Sequence, residues 1–221
     1  SVNDAPLGTD KTMTVLEDNV LSFVAGDFGF TDPSDSPANA LQGVRIVALP
    51  ALGTLSLAAG ASAPGPVAAN QIVSAADIAF LRYTPPANAN GTAYANFTFR
   101  VIDNGGTANG GINEDPVANT ITIDVTSVND APAGTNNTIS MTEDLDYVFT
   151  AADFGFTDPN DSPANTLTNV RIMTLPALGA LSLAAGASAP GPVSAGQVVS
   201  AADLAFLTYA APANAYGVGY S

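Results

Sequence analysis

The first 95 residues of this 221-residue chain recur, without a gap, as its last 95 residues, and roughly two thirds of the paired positions are identical. The segment GDFGFTDPSDSPAN at 26–39, for example, returns as ADFGFTDPNDSPAN at 152–165. Paired residues are 126 positions apart. This period has the length of a whole domain, since the units of solenoid proteins usually span about 20–50 residues. The chain is therefore expected to be a tandem of domains rather than one continuous solenoid.

The repeat predicts two domains, residues 1–126 and 127–221, with the segment SVNDAP at 127–132 as the linker. The second copy has no counterpart of residues 96–126, which hold strand-like sequence in the first copy. We expect from this that the chain is a piece of a longer array, cut before the last strands of a repeat. The alternative is that another chain supplies those strands. Duplicated domains favour a stalk over a catalyst, because a catalyst needs only one site.

Short β-type runs separated by turn clusters dominate each copy, and glycine (20 residues) and proline (16 residues) recur throughout. This pattern is typical of β-sandwiches. It predicts an all-β fold of tandem seven-stranded immunoglobulin-like or cadherin-like Greek-key sandwiches arranged end to end. The motif SAAD, at 74–77 and 200–203, predicts one helical turn with its own cap. The expected strands of the first copy are 12–16, 19–28, 44–49, 53–57, 78–83, 94–102 and 119–128.

The charge balance excludes several classes of function. The chain has 20 acidic and 5 basic residues, a net charge of −15, and neither histidine nor cysteine. Such a chain is expected to repel nucleic acid and anionic membranes and to attract cations. Without histidine or cysteine it lacks the commonest general base and the thiol nucleophile. Paired carboxylates could serve a glycosidase, but they recur in both copies and no pair stands out. We therefore expect no enzyme.

The acidic residues fall in loops that the strand count assigns to the two ends of each domain. Strands that alternate in direction bring the linker and the loop at 31–39 to one end, and the first turn to the other. At the junction between the copies the expected cluster is Glu17, Asp18, Asn129, Asp130, Asp158 and Asp161. The matching residues at the start of the first copy are Asn3, Asp4, Asp32, Asp35 and Asp103, while Glu143 and Asp144 repeat the first-turn pair in the second copy.

Oxygen-bearing side chains that converge on a short linker should repel one another unless a cation lies among them. Hard oxygen ligands without histidine or cysteine favour Ca²⁺ over zinc or copper, and a loose set of six to eight ligands favours Ca²⁺ over Mg²⁺. The sequence therefore predicts calcium ions that bind neighbouring repeats together and stiffen the hinge between them.

Simpler interpretations stand beside the metal hypothesis. Asp-Pro-x-Asp forms an Asx-turn without any metal, and the Glu-Asp pairs could be solvated turns. Asp77 and Asp203 are expected to cap a helical turn, and Asp27 and Asp153 could serve either role. The acidic residues expected on the surface are Glu114, Asp115 and Asp124.

Several motifs resemble those of a known family. SVNDAP resembles the inter-domain linker of cadherins, although Ser127 stands where cadherins place an aspartate. Asp158 with Asp161, Glu17 and Asp103 resemble the calcium-binding acidic residues of those domains. The whole repeat, with VNDAP, FTDP and LPALGTLSL, also resembles the cadherin-like repeats of large bacterial adhesins of the RTX type, exported by type I secretion. A weaker likeness is to the repeats of the chondroitin-sulfate proteoglycan core.

This resemblance implies a Ca²⁺-rigidified extender of a bacterial cell-surface adhesin, located outside the cell and involved in adhesion or biofilm formation. One alternative is a module that binds glycan or an identical chain, for which an exposed aromatic cluster would be favourable. The candidates for such a cluster are Tyr83, Tyr94, Tyr209, Tyr216 and Tyr220. Another alternative is a subunit of an extracellular filament in which chains exchange strands.

Overall fold

The computed structural model describes residues 2–217 and is all-β, with strands in several largely antiparallel sheets and a few short 3₁₀ helices. The chain divides into two compact units, Ser1–Asn129 (the first unit) and Asp130–Ser221 (the second unit). The division lies inside the predicted linker. Among residues 2–217, no helix has the length and apolar character needed to cross a membrane.

The first unit is built from two sheets, with strand orders β1-β9-β8-β3-β6 and β2-β7-β4-β5. Its strands are β1 Lys11–Leu16, β2 Leu21–Ser22, β3 Leu41–Ala48, β4 Thr54–Leu57, β5 Gly65–Pro66, β6 Ile72–Ser74, β7 Leu81–Thr84, β8 Gly91–Asp103 and β9 Asn119–Thr126. Its 3₁₀ helices are Ala25–Phe28, Ile78–Phe80 and Ala108–Gly110.

The pairing of β1 with β9 determines where the first unit begins and ends. These two strands are parallel, from Lys11 opposite Ile121 to Leu16 opposite Thr126. They therefore start at one end of the unit, here named the entry pole, and finish at the other, the exit pole. The Glu17 N–H donates a hydrogen bond to the Thr126 carbonyl oxygen at 2.9 Å and continues this ladder into the exit pole.

One hydrophobic core joins the two sheets of the first unit. Alternate residues of β8 and β9 point into it, as expected of strands with one buried face. Phe97 and Phe99 on β8 are buried, and the Phe99 ring lies edge-on to Phe28 with a centroid distance of 4.9 Å. Such aromatic pairs add about 0.5–1.5 kcal/mol to the free energy gained by burial. The long alternating strands therefore supply most of this core.

The segment 19–28 differs from its prediction as one strand. Only Leu21–Ser22 pairs as a strand, and Ala25–Phe28 forms a 3₁₀ helix. The reason is local, because the Asp27 carboxylate accepts the Val24 N–H at 2.8 Å and caps the turn. Gly29, at φ 57°, then ends the helix in the left-handed region that favours glycine.

The second unit has a four-stranded sheet of order β10-β15-β12-β13 and a two-stranded sheet of β11 and β14. Its strands are β10 Tyr147–Val148, β11 Asn169–Arg171, β12 Ala180–Leu183, β13 Gly191–Pro192, β14 Val198–Ser200 and β15 Leu207–Ala210. Its 3₁₀ helices are Ala151–Phe154 and Ala201–Phe206. The serine of SAAD caps the second helix, because the Ser200 hydroxyl accepts the Asp203 N–H. The predicted cap is confirmed in the second copy, whereas in the first copy the Ser74 hydroxyl accepts the Asp77 N–H at 3.1 Å but the 3₁₀ helix begins only at Ile78.

Residues 137–142, the counterpart of β1, form no strand in the second unit. In the first unit β1 pairs with β9 alone, and residues 130–217 contain no sequence equivalent to β9. Without that partner the backbone N–H and C=O groups of residues 137–142 have no ladder to join. A segment with strand-like sequence therefore stays irregular where its non-local partner is missing.

Candidate metal centre

Six polar residues gather at the entry pole of the first unit. Two come from the segment that precedes β1, residues 2–10, here named the entering segment. Three come from the loop after the first 3₁₀ helix, and one comes from the end of β8. This entry cluster consists of Asn3, Asp4, Asp32, Asp35, Asn39 and Asp103. Reciprocal backbone hydrogen bonds between Leu7 and Thr31, at 2.8 and 2.9 Å, hold the entering segment beside the loop.

Asp32 carries the strongest indication of a ligand. Its side chain is 6% exposed, and Oδ2 accepts the Asn39 N–H at 2.5 Å. The other oxygen, Oδ1, is buried and accepts no hydrogen bond from any residue that the structure describes. An ionised oxygen buried without a donor is costly, and proteins commonly satisfy such an oxygen with a cation. Asp32 therefore presents a free ligand atom inside the entry cluster.

Asp35 links the loop to the entering segment. Its Oδ2 accepts the Asp4 N–H at 2.9 Å and the Asn39 Nδ2 at 3.1 Å. Asn39 is absent from the ligand set predicted from sequence, yet it orients both Asp32 and Asp35. The recurrence of SPAN directly after the second aspartate in both copies, with its asparagine four residues on, was the available indication.

Asp103 is fully buried, and its contacts give it a positioning role in this structure. Oδ1 accepts the Gly105 N–H at 2.8 Å and the Asn3 Nδ2 at 3.0 Å. The same Asn3 amide donates to the Ile112 carbonyl oxygen at 2.7 Å, and the Ile112 N–H donates to the Asn3 carbonyl oxygen at 2.9 Å. Asp103 therefore ties the entering segment to the loop that follows β8.

The second unit repeats the same geometry with its own residues. The Asp158 Oδ2 accepts the Asn165 N–H at 2.6 Å, and the Asp158 Oδ1 is buried without a donor among the described residues. The Asp161 Oδ1 accepts the Asp130 N–H at 2.9 Å, and its Oδ2 accepts the Asn165 Nδ2 at 2.8 Å. Asp158 is 6% exposed, the same value as Asp32. The loop part of the cluster is thus reproduced in the second unit, whereas residues 130–217 hold no counterpart of Asp103.

Glu17 lies at the exit pole and is 1% exposed. Its Oε1 accepts the Ser127 Oγ–H at 2.9 Å and the Val128 N–H at 2.5 Å, while Oε2 accepts no hydrogen bond from any described residue. Asp18 beside it is exposed, has φ 61°, and accepts the Asn88 N–H at 3.5 Å. Glu17 therefore has one unpaired oxygen, Oε2, whereas Asp18 shapes a turn.

The remaining predicted site residues are exposed. Asn129 lies at the surface immediately before the division between the units. Glu143 and Asp144 are both exposed, and Asp144 repeats the turn of Asp18 with φ 63° and a 3.1 Å hydrogen bond from the Asn214 N–H. Glu143 differs from the buried Glu17 because residues 130–217 hold no counterpart of Ser127 and Val128, which bond to Glu17.

Asp77 and Asp203 lie outside the entry clusters. Each connects the helical turn on which it lies to a loop, through Ser62 in the first unit and Ser188 in the second. The Asp77 carboxylate accepts hydrogen bonds from the Ser62 N–H at 2.8 Å, the Ser74 Oγ–H at 2.8 Å and the Ser62 hydroxyl. The Ser62 hydroxyl, followed by the Ser62 N–H and the Ser74 hydroxyl, lowers the pKa of Asp77. Asp203 repeats the arrangement, with its pKa lowered mainly by the Ser188 hydroxyl.

The predicted surface position of Asp115 is wrong. Asp115 is 2% exposed and accepts hydrogen bonds from the Gly8 N–H, the Val117 N–H and the Asn119 Nδ2, which compensate for its burial. Glu114 is half-buried and forms two parallel hydrogen bonds with Arg45, at 2.9 Å each. That contact raises the pKa of the Arg45 guanidinium.

The tyrosines do not form an exposed aromatic cluster within residues 2–217. Tyr83 and Tyr209 are buried, and Tyr94 packs against the core of the first unit. Tyr216 is 86% exposed, and Tyr220 lies outside the described residues. The feature that would have favoured a glycan-binding surface is therefore not found among them.

Comparisons of the chain with protein-family models, with curated proteins and with solved structures found no match. The class that can be stated is therefore the one the fold defines, an all-β protein of two related units. Each unit carries a loop cluster with a buried, unpaired carboxylate oxygen.

Proposed function

We propose that the chain is a calcium-binding tandem repeat of the cadherin-like sandwich type, an extender segment of a bacterial cell-surface adhesin. In this proposal each unit binds Ca²⁺ at its own entry cluster. The ion fixes the entering segment to the loop and so stiffens the connection that leads into the repeat. The function is structural, and the ion is not a catalyst.

The observation that carries the proposal is the pair of free oxygens on Asp32 and Asp158. Both carboxylates are 94% buried, and the same oxygen is unpaired in both units. A turn that needed no ion would gain nothing from hiding an ionised oxygen without a donor, because such burial costs free energy. Independent recurrence in two units shows that the arrangement follows from the shared loop sequence.

The chemistry of the donors supports Ca²⁺ as the ion. Each cluster offers carboxylate and amide oxygens, and the chain has no histidine or cysteine. Ca²⁺ accepts six to eight oxygen ligands in flexible geometry, whereas Mg²⁺ requires a near-ideal octahedron. Asp35 and Asp161 are half-buried and Asp4 is exposed, so water can complete the coordination shell.

The test is calorimetric titration of the chelator-treated full chain with Ca²⁺, followed by thermal melting with and without the ion. We expect Ca²⁺ to raise Tm by several degrees, since a ligand at 100 times its Kd stabilises the folded state by about 2.7 kcal/mol. Asp32→Asn and Asp158→Asn should each remove about one bound ion. Hydrogen exchange should slow at residues 3–7 and 129–133 when Ca²⁺ binds.

Asp146→Asn is the matched control, because it removes the same charge from an exposed position and should leave the ion count unchanged. Circular dichroism of each variant without Ca²⁺ would show that the fold is retained. If all three variants bound as many ions as the parent chain, the entry clusters would not be the binding sites and the proposal would fail.

A further inference from the structure

The loop that follows β8 contains a dipeptide that can react with itself. In an asparagine-glycine sequence the glycine nitrogen attacks the side-chain carbon Cγ of the asparagine and closes a five-membered succinimide ring. The attack is intramolecular, because the two atoms belong to neighbouring residues. The chain contains this dipeptide three times, at Asn90–Gly91, Asn104–Gly105 and Asn109–Gly110. The three differ in what surrounds the two reacting atoms.

The attacking nitrogen of the Asn104–Gly105 dipeptide lies beside a base. The Gly105 N–H donates to Asp103 Oδ1 at 2.8 Å, and Asp103 is fully buried. The Asn3 Nδ2 donates to the same oxygen at 3.0 Å and holds the carboxylate in place. A carboxylate at this distance can take the amide proton while the nitrogen forms its new bond, which is general-base catalysis.

A backbone donor polarises the carbonyl group that is attacked. The Ala40 N–H donates to Asn104 Oδ1 at 2.9 Å, and the Asn104 N–H donates to the Ala40 carbonyl oxygen at 3.0 Å. Negative charge develops on Oδ1 when a nitrogen adds to Cγ. A fixed N–H directed at that oxygen stabilises the charge in the manner of an oxyanion hole.

Position 105 accepts only glycine in this packing. A Cβ there would overlap the Asn3 side chain and would lie 2.6 Å from Asn39 Nδ2. No side chain therefore shields the Gly105 nitrogen. Asn104 is exposed, so water can reach the ring and hydrolyse it.

The other two dipeptides lack these groups. Neither the Asn90 nor the Asn109 side chain accepts a hydrogen bond from any residue in the range 2–217. No carboxylate in that range accepts the N–H of Gly91 or Gly110. These two dipeptides therefore serve as references within the same chain for the rate at Asn104.

We propose that Asn104 is a self-modification site, which the folded chain converts to aspartate and isoaspartate. The Gly105 nitrogen bonds to Asn104 Cγ while its proton passes to Asp103. The Cγ–Nδ2 bond then breaks, and the amide nitrogen leaves as ammonia with that proton, so Asp103 is regenerated. Water opens the ring at either carbonyl group to give aspartate or isoaspartate. This reaction goes beyond calcium binding and does not depend on it.

The conversion would change the loop beside the entry cluster. Both products carry one negative charge where the asparagine was neutral. Isoaspartate also lengthens the backbone by one carbon between residues 104 and 105. The Gly105 N–H would then be displaced from Asp103, which would weaken the tie between the entering segment and the loop after β8.

The experiment incubates the chelator-treated full chain near neutral pH, once folded and once in urea. Peptide mapping with mass spectrometry follows each asparagine as its amide becomes a carboxylate. In urea the three dipeptides should convert at similar rates. In the folded chain Asn104 should convert about tenfold faster than in urea, a modest gain for a positioned base because a carboxylate is a weak one. Asn90 and Asn109 should convert no faster than in urea.

Asp103→Asn removes the base and should lower the rate at Asn104 to about that of Asn109 in the same chain. Asp115→Asn is the matched control, because Asp115 is also a buried carboxylate that accepts a backbone N–H. It should leave the rate at Asn104 unchanged. A variant that failed to fold would show all three dipeptides at their urea rates, and circular dichroism would reveal the loss of structure.

Two results would overturn the proposal. The first is a rate at Asn104 in the folded chain that is no higher than in urea, which would mean that the hydrogen bonds only hold the loop. The second is a folded Asp103→Asn variant that keeps the parent rate at Asn104, which would mean that the carboxylate takes no part in the reaction.

Discussion

The two units have nearly the same local sequence but differ in what is buried. The counterparts of Val44 and Ile46, both fully buried in the first unit, are half-buried in the second. Glu17 is 1% exposed, whereas its counterpart Glu143 is an exposed residue. The two hydrogen bonds from Asn39 to Asp32 and Asp35, by contrast, recur in the second unit as those from Asn165 to Asp158 and Asp161.

This difference distinguishes structure that forms from local hydrogen bonds from structure that needs distant parts of the chain. Turns, caps and loop clusters form wherever their few contiguous residues occur, because their hydrogen bonds are local. The long strands and the deep core need partners from distant parts of the chain, and they form only where β8 and β9 are present. The loops at 31–39 and 157–165 therefore form independently of the completeness of the core around them.

The largest predicted effect is the loss of unfolding free energy when a core phenylalanine is replaced, and it should differ between the two units. Phe28→Ala should destabilise the first unit by about 3–5 kcal/mol, because Phe28 is fully buried against Phe99. Phe154→Ala, the matched change in the second unit, should cost about 1–2 kcal/mol less, since Phe154 is only half-buried. Urea-dependent hydrogen exchange, read separately for the two units, measures both. Equal losses would contradict the comparison of the cores.

An effect of intermediate size is expected at Arg45 and at its counterpart in the second unit, Arg171. Arg45→Met removes the bidentate contact with Glu114 and should destabilise the first unit by about 1 kcal/mol, a value at the upper end for a partly exposed pair. Arg171→Met should leave the stability of the second unit unchanged within a few tenths of a kcal/mol, because Arg171 is exposed. The same exchange measurement applies. A larger loss in the second unit would reverse the expected order.

The smallest difference between the units is expected at their loop networks. The pKa values of Asp77 and Asp203 are both lowered in the folded state, so their ionised forms stabilise the fold at neutral pH. This contribution is present above the unfolded pKa of about 3.9 and is lost as pH falls through the lower folded value. Asp77→Asn and Asp203→Asn should each reduce, by the same amount, the stability that is lost between neutral and acidic pH. The measurement compares the urea midpoints at about pH 7 and pH 3.

Unequal effects of those two variants would show that the surrounding core modifies even a local network. Ser62→Ala and Ser188→Ala serve as controls for the hydrogen-bond origin of the shift. Each should raise the pKa of its aspartate towards the ordinary value, because the serine hydroxyl is the largest cause of the lowered pKa.

Much of this architecture could be predicted from the sequence, because its signals are local or repeated. The 126-residue period predicted two related units, and alternating apolar residues predicted the central strands β3, β4, β8 and β9. The SAAD motif predicted the helical cap at Ser200, which is confirmed. The loop at 31–39 was predicted to bring oxygen-bearing side chains to the same end as the entering segment, and the Asp4 N–H does bond to Asp35 there.

Other features depend on contacts that sequence does not reveal. Asp115 looked like a surface residue, and its burial depends on amide donors as distant in sequence as Gly8. The 3₁₀ helix at Ala25–Phe28 lies in a run that reads as a strand, and the cap that Asp27 forms on the Val24 N–H was not recognised there. Asn39 was missed because a neutral amide carries no sign that it orients two carboxylates.

The parallel pairing of β1 and β9 has a mechanical consequence for the first unit. A tensile force applied at its two ends pulls β1 and β9 along their length in opposite directions. All the bridging contacts from Lys11 to Leu16 then bear the load together, in shear, instead of breaking one after another. A module of this topology resists stretching far better than one whose terminal strands can be peeled apart.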